Sequence, residues 1–254
     1  MEAKVSKLYG ALEVVKQHYP DAQTTGHIVD QLLDLVQHHL QLSPNQIMHA
    51  DSICSDDVNS IEYPQRAYEM LGPFNMGGLN GFPFTGLTGM NAFAHHVPVG
   101  GAVFVFYAPH IGVTRHGNVG ELLRVGQEQP SGCCGAAKAA LGKLLNDELT
   151  ENHITELDYQ MNSIEQIFFR ADQRIKNAKN PVMEATDVMY EAIEERINLL
   201  VEKTDFPCRH VILMGGIIIN GDHDMGSFCE PRRLDILDLE TKTSKSFLDL
   251  FLSS

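Results

Sequence analysis

Two nearly unbroken apolar runs constrain the fold of this chain most: AVFVFYAPHIGV at 102–113 and HVILMGGIIING at 210–221. Neither alternates apolar with polar residues, as a strand with one wet face would. Strands buried on both faces read this way, and they belong to parallel sheets covered by helices. The neighbouring segments supply the helices. CGAAKAALGKLL at 134–145 is rich in Ala, Leu and Lys, all good helix formers. Two longer helical stretches follow, and in the second Ala185, Val188, Ala192, Ile193, Ile197 and Leu200 share one face. IMHADSIC at 47–54 alternates like a short strand ending at Cys54, and RRLDILDLE at 232–240 alternates like an edge strand. Strands alternating with helices predict an α/β fold with a mainly parallel central sheet flanked by helices.

Residues 1–43 read as an N-terminal helical arm of two helices. Ile28, Leu32, Leu35, Val36 and Leu40 recur at helical spacing, and Ser43-Pro44 closes the segment. The arm is expected to pack on the rest of the domain or on a second subunit. Residues 71–101 are rich in Gly, Pro and Phe and too apolar for a flexible linker. They read as an ordered loop lining a site. There is no internal repeat, and the 254 residues read as one domain with a functional core at 47–141.

Composition narrows the function. Nineteen basic against thirty-three acidic residues give a formal charge of −14. That excess argues against nucleic-acid partners and against docking on anionic lipid. The longest apolar run, 211–219, is far below the roughly 18 residues of a membrane span. The N-terminus mixes Lys and Glu through its apolar positions, unlike a secretory signal or a transit peptide. The expectation is a soluble chain in the cytoplasm or, with a targeting segment removed, in an organelle. Five cysteines, an odd count without a signal, favour metal ligation or plain burial over a disulfide framework.

Sites in parallel sheets lie at the carboxyl ends of strands. Cys54 and His110 fall there, and Cys133-Cys134 opens a helix. Two thiolates and an imidazole, with water as a fourth ligand, are the composition of a catalytic zinc site. The plain alternative is that the cysteines are small buried hydrophobes. Asp222, His223 and Asp224 follow a strand and read as a turn rather than a second metal site. The glycines of GGLNGFPFTG lack the GK[ST] of a phosphate loop. A redox role for the vicinal Cys133 and Cys134 ranks last, because such disulfides are strained and no C-x-x-C is present.

Cys54-Ser55-Asp56 resembles the Cys-x-Asp ligand motif of β-carbonic anhydrases, and the segment from Cys134 to Leu141 resembles their ligand-Cys-to-helix segment. The β-class keeps its His and second Cys close together, whereas here a long insertion separates His110 from Cys134. With CSDDVN (54–59), GGLNGFPFTGLTG (77–89), AHHVP (94–98), PHIG (109–112), RVGQ (124–127) and SGCCGAA (131–137), the chain resembles the limiting-CO2-inducible B/C family. The resemblance implies a β-carbonic-anhydrase-like fold and a homodimer. It implies Zn2+ held by Cys54, His110 and Cys134, and reversible hydration of CO2 to bicarbonate in at least some members. Others would be inactive zinc-binding homologues acting as partners or regulators in inorganic-carbon handling. Such a zinc lowers the pKa of bound water towards ~7. Asp56 is then the residue that orients this water or gates the metal. In the β-class its partner is an Arg four residues after the first Cys, where this chain has Val58. Arg124 is the favoured substitute, since a guanidinium holds a carboxylate through two bonds, with Arg66 and Arg115 as alternatives. Of the two adjacent thiols, the Cys-Gly pair favours Cys134 over Cys133. His95 and His96 are candidates to relay protons or line the pocket, and Phe82 and Phe84 to wall it, against loop and core roles respectively.

Overall fold

The computed structural model describes residues 2–61, 63–151 and 155–252. The chain opens with α1 (Glu2–Lys16), a two-residue strand β1 (Gln23–Thr24) and α2 (Thr25–Leu35). Thr24 caps α2 by accepting a hydrogen bond from the His27 N–H. These elements are not a free arm. Ile28 and Leu32 of α2 pack with Ile47, Phe104 and Ile212, and Ala11 and Val15 of α1 pack with Ile111, Ile217 and Phe228.

β2 (Ile47–Ser52) and the short α3 (Asp57–Ile61) follow. The stretch expected to be a loop contains β3 (Leu71–Asn75) and α4 (Gly86–Ala94). Pro73 lacks an N–H for a ladder, and β3 lies where this is tolerated, at the sheet edge beside β2. The turn between β3 and α4 presses against the strand ends. A Cβ at Gly81, where φ is +80°, would overlap the Ala108 carbonyl oxygen.

The first apolar run divides at Ala108-Pro109 into β4 (Ala102–Tyr107) and β5 (His110–Val113). The hairpin β6 (Glu121–Leu122) and β7 (Ser131–Gly132) leads into α5 (Gly135–Leu145). Then come α6 (Tyr159–Arg170), α7 (Asp172–Lys176) and α8 (Pro181–Glu202), whose apolar faces bury one side of the sheet. The chain ends with β8 (His210–Gly221), β9 (Ser227–Asp238), β10 (Thr243–Ser246) and α9 (Asp249–Leu252).

The sheet order is β1-β9-β8-β4-β2-β3, with β10 also on β9 and β5 also on β8. β3, β2, β4 and β8 run parallel and β9 antiparallel, so the fold is mixed α/β with a mostly parallel sheet. β8 pairs with β4 through Gly215 and with β5 from Ile218, so the break in the first run is bridged by the second. The expected edge strand is corrected: β9 is flanked on both sides, because β1 and β10 cover its outer edge. Those two are short and polar, so no periodicity announces them. Among the described residues, no helix is long and apolar enough to cross a membrane.

Candidate metal centre

Three elements converge beyond the carboxyl ends of β2 and β4. Cys54 lies two residues past β2, His110 opens β5, and Cys134 is the N-cap of α5. Their ligand atoms all lie within 4.8 Å of one another, and the Cys54 and Cys134 sulfurs are 3.9 Å apart. All three residues are buried. Asn80, in the turn before α4, donates its backbone N–H to the Cys54 sulfur at 3.1 Å.

The imidazole of His110 is oriented. Its Nδ1 lies 2.8 Å from the Asn220 Oδ1, an acceptor, so Nδ1 carries the proton. Nε2 is left as a buried nitrogen with no hydrogen-bond partner. An orphaned imidazole nitrogen beside two thiols suits a tetrahedral, borderline-soft cation such as zinc, and this donor set leaves a fourth position open. The Asp56 Oδ2 stands 4.0 Å from the same Nε2. Asp56, His110 and Cys133 form a second set within the same 4.8 Å limit, so two donor triads share one histidine.

The thiols differ in proton affinity. The hydrogen bond with Cys134, followed by burial, holds Cys54 well above the ordinary thiol range. The same hydrogen bond lowers Cys134 against its burial, aided by the Ala137 and Ala136 N–H groups at the start of α5. His110 is raised well above 6.5. Burial opposes its charging, but Cys133 and Cys54 outweigh that.

Arg124, on the β6–β7 hairpin, donates from Nη2 to both Asp56 oxygens, at 3.0 and 2.8 Å. Its other terminal nitrogen donates to the Ser131 hydroxyl at 2.8 Å, so the guanidinium is tied to its own hairpin as well. One nitrogen thus serves the carboxylate, rather than the two of a fork. Burial pushes Asp56 up, yet hydrogen bonding with Asp57 and Arg124 and the charge of His110 hold it below the usual carboxylate range. The other two arginines are engaged elsewhere. Arg66 pairs with Asp30 and Glu69, and Arg115 with Asp222 and Asp224. Asp222 also accepts from the Leu123 N–H, so the 222–224 turn braces the start of the Arg124 loop.

The remaining sequence candidates make contacts of their own. Phe82 and Phe84 pack on one another within the main apolar core, with Arg196 over the Phe82 ring and Tyr159 against Phe84. His95 and His96 follow α4 and are exposed, with His96 against Phe74. A small cavity of about 10 Å3 beside the ligands is lined instead by Cys133, Cys134, Ala137, Leu141 and Thr186. Sequence reasoning missed Asn80, Asn59 and Asn220. The available signal was Asn220, a lone amide within the second apolar run.

A family model for the limiting CO2-inducible proteins B/C, β-carbonic anhydrases, matches residues 23–238. The chain belongs to this family. The B/C-family match takes in β1 to β9 and every residue of the cluster. Among solved structures, the chain is similar to PtLCIB4, a homolog of the limiting CO2-inducible protein LCIB. The identity is 28%, with 92% of this chain and 98% of that chain covered and a TM-score of 0.82. It also shares its fold with LCIB itself, at 20% identity, 91% and 96% coverage and a TM-score of 0.64. No curated protein matches the chain.

Proposed function

We propose that this B/C-family chain is a zinc-dependent carbonic anhydrase that hydrates CO2 reversibly to bicarbonate. The observation that carries the reading is the buried, unpartnered Nε2 of His110 beside the thiols of Cys54 and Cys134. These three residues would hold Zn2+. When bound there, the ion would supply the Lewis acidity that makes hydroxide available at neutral pH.

The chain's own groups do the rest. Asp56 stays ionised because Arg124 binds it, so it serves as a hydrogen-bond acceptor. In that state it would accept a hydrogen bond from the attacking water and leave that water's oxygen lone pair directed at the carbon of CO2. Arg124 sets the angle of the Asp56 carboxylate and keeps it from taking up the proton, which is released to solvent. The surrounding burial excludes competing water and strengthens each of these contacts. A homodimeric state belongs to the same reading, on the family resemblance alone.

Stopped-flow CO2 hydration by the purified protein, with metal content measured and a zinc chelator added in parallel, tests the proposal. The expected result is about one zinc per chain and a rate well above buffer that the chelator abolishes. Bound zinc with no rate would overturn catalysis and favour a zinc-binding partner or regulator in inorganic-carbon handling.

A further inference from the structure

We propose that Asn220 and Asn59 are positioning residues that fix the tautomer of His110 and aim its Nε2 at the two cysteine sulfurs. The inference rests on the metal-binding reading above and adds to it the part of the chain that makes the histidine a ligand.

Asn220 sits near the end of β8, fully buried in a strand that is otherwise apolar after His210. An amide there is costly unless both its ends are bonded. Its Oδ1 faces the His110 Nδ1 at 2.8 Å, and its Nδ2 donates to the Asn59 Oδ1 at 3.3 Å. Asn59, also buried, donates from Nδ2 to the Cys54 carbonyl oxygen at 3.2 Å. The relay therefore runs from the backbone of one metal-facing cysteine to the ring of the histidine.

Its direction is forced from one end. A backbone carbonyl can only accept, so Asn59 must turn its Nδ2 towards Cys54. Its Oδ1 then faces Asn220 and must receive an N–H. Asn220 in turn presents Oδ1 to the imidazole. The neutral His110 ring is left with one choice, a proton on Nδ1 and a lone pair on Nε2. Neither amide can flip without setting two donors or two acceptors face to face. The Cys133 sulfur, 3.8 Å from the Asn220 Oδ1 and 3.4 Å from Nδ1, is a further donor to the same acceptor. The orientation is thus settled by covalent structure at Cys54 and carried through two side chains. A ligating histidine whose other nitrogen is held this way binds metal more tightly than one that is not.

The test measures the zinc dissociation constant of the whole chain by chelator competition, alongside the melting temperature of the metal-free protein. Three variants are compared with the wild type. Asn220→Leu removes the acceptor, Asn220→Asp keeps it, and Asn59→Leu cuts the relay at its anchored end. Asn59 borders an apolar cavity with Ile53 and Ile218, so a leucine has room there. Expected are a constant weaker by about 10- to 100-fold for Asn220→Leu, a partial recovery for Asn220→Asp, whose second oxygen meets the Asn59 Oδ1, and a smaller loss for Asn59→Leu, each read beside a metal-free melting temperature lowered by the amide partner left unbonded. An unchanged constant for Asn220→Leu overturns the proposal, as does an Asn220→Asp loss equal to that of the leucine. If Asn220→Leu does not fold, an unchanged constant for Asn59→Leu decides against it. A wild type that takes up no zinc overturns the reading beneath it instead, and that outcome is distinct from the others.

Discussion

Asp51 and Asp56 stand close together in sequence, one within β2 and one just past its end, and burial pushes both towards the neutral form. They end on opposite sides of the ordinary value. Asp51 has no cation beside it and is raised to about 7. Asp56 meets Arg124 and is held low. The middle of β2 also carries His49, fully enclosed against Phe104 and Tyr63 and lowered to about 3 by burial. Buried polar side chains are therefore common to both regions. What distinguishes the region of Asp56 is a cation on its carboxylate and an imidazole nitrogen with nothing to bond. Depth alone makes a group neutral, and a partner makes it useful.

The largest effect that would test this distinction is at the thiols. Cys134→Ser is expected to lose zinc and all hydration above buffer, while Cys133→Ser keeps both, with metal analysis and stopped-flow rates as readouts. The reverse pattern would move the centre to the set of Asp56, His110 and Cys133. Next comes Arg124→Ala, which reduces the contrast between the two aspartates and leaves Asp57 and His110 to hold Asp56 down. Asp56 then rises towards the behaviour of Asp51, and kcat/KM at neutral pH should fall about 10²-fold with zinc retained. Full activity in that variant would remove Arg124 from the mechanism.

Per pH unit, the smallest effect is on stability. Asp51 has a folded pKa of about 7 against an ordinary 3.8, so it favours the folded state below about pH 4 and loses that contribution as pH rises to 7. His49, lowered from 6.5 to about 3, has the opposite sign: its contribution is present above 6.5 and is lost as pH falls towards 3. Between about pH 4 and 6.5 the two slopes oppose each other. Asp51→Asn leaves His49 alone, so denaturant stability of that variant should gain about 1.4 kcal/mol per pH unit across the window relative to wild type. Parallel pH profiles for the two proteins would show that Asp51 does not titrate as described.

Much of the architecture was legible because β4 and β8 are buried on both faces, and their apolar runs are rich in the Val, Ile and Phe that favour strands. The short strands β1, β6, β7 and β10 were not legible, since two to four residues carry no period. The same shortness concealed the cover on the outer edge of β9. At the site, residue types and strand ends suggested Cys54 and His110. The resemblance selected Cys134, and three arginines competed for Asp56 until their other partners were visible. Of the Asn59–Asn220 relay, only Asn220 left a trace, as a lone amide in an apolar run. Its meaning depends on which way each amide faces, and that follows from a backbone carbonyl far away in sequence.

The insertion that separates His110 from Cys134 has a consequence of its own. It folds as the β6–β7 hairpin, and the loop at its tip brings the guanidinium to Asp56 while remaining largely exposed. On the reading above, the ion is gripped by residues anchored at strand ends and a helix cap, whereas the group that keeps Asp56 ionised arrives on a surface loop. Catalytic output and metal retention then become separable traits. Changes confined to the loop can raise or silence turnover and leave a fully loaded, fully folded protein, so active and silent members of one lineage can differ by a few surface residues.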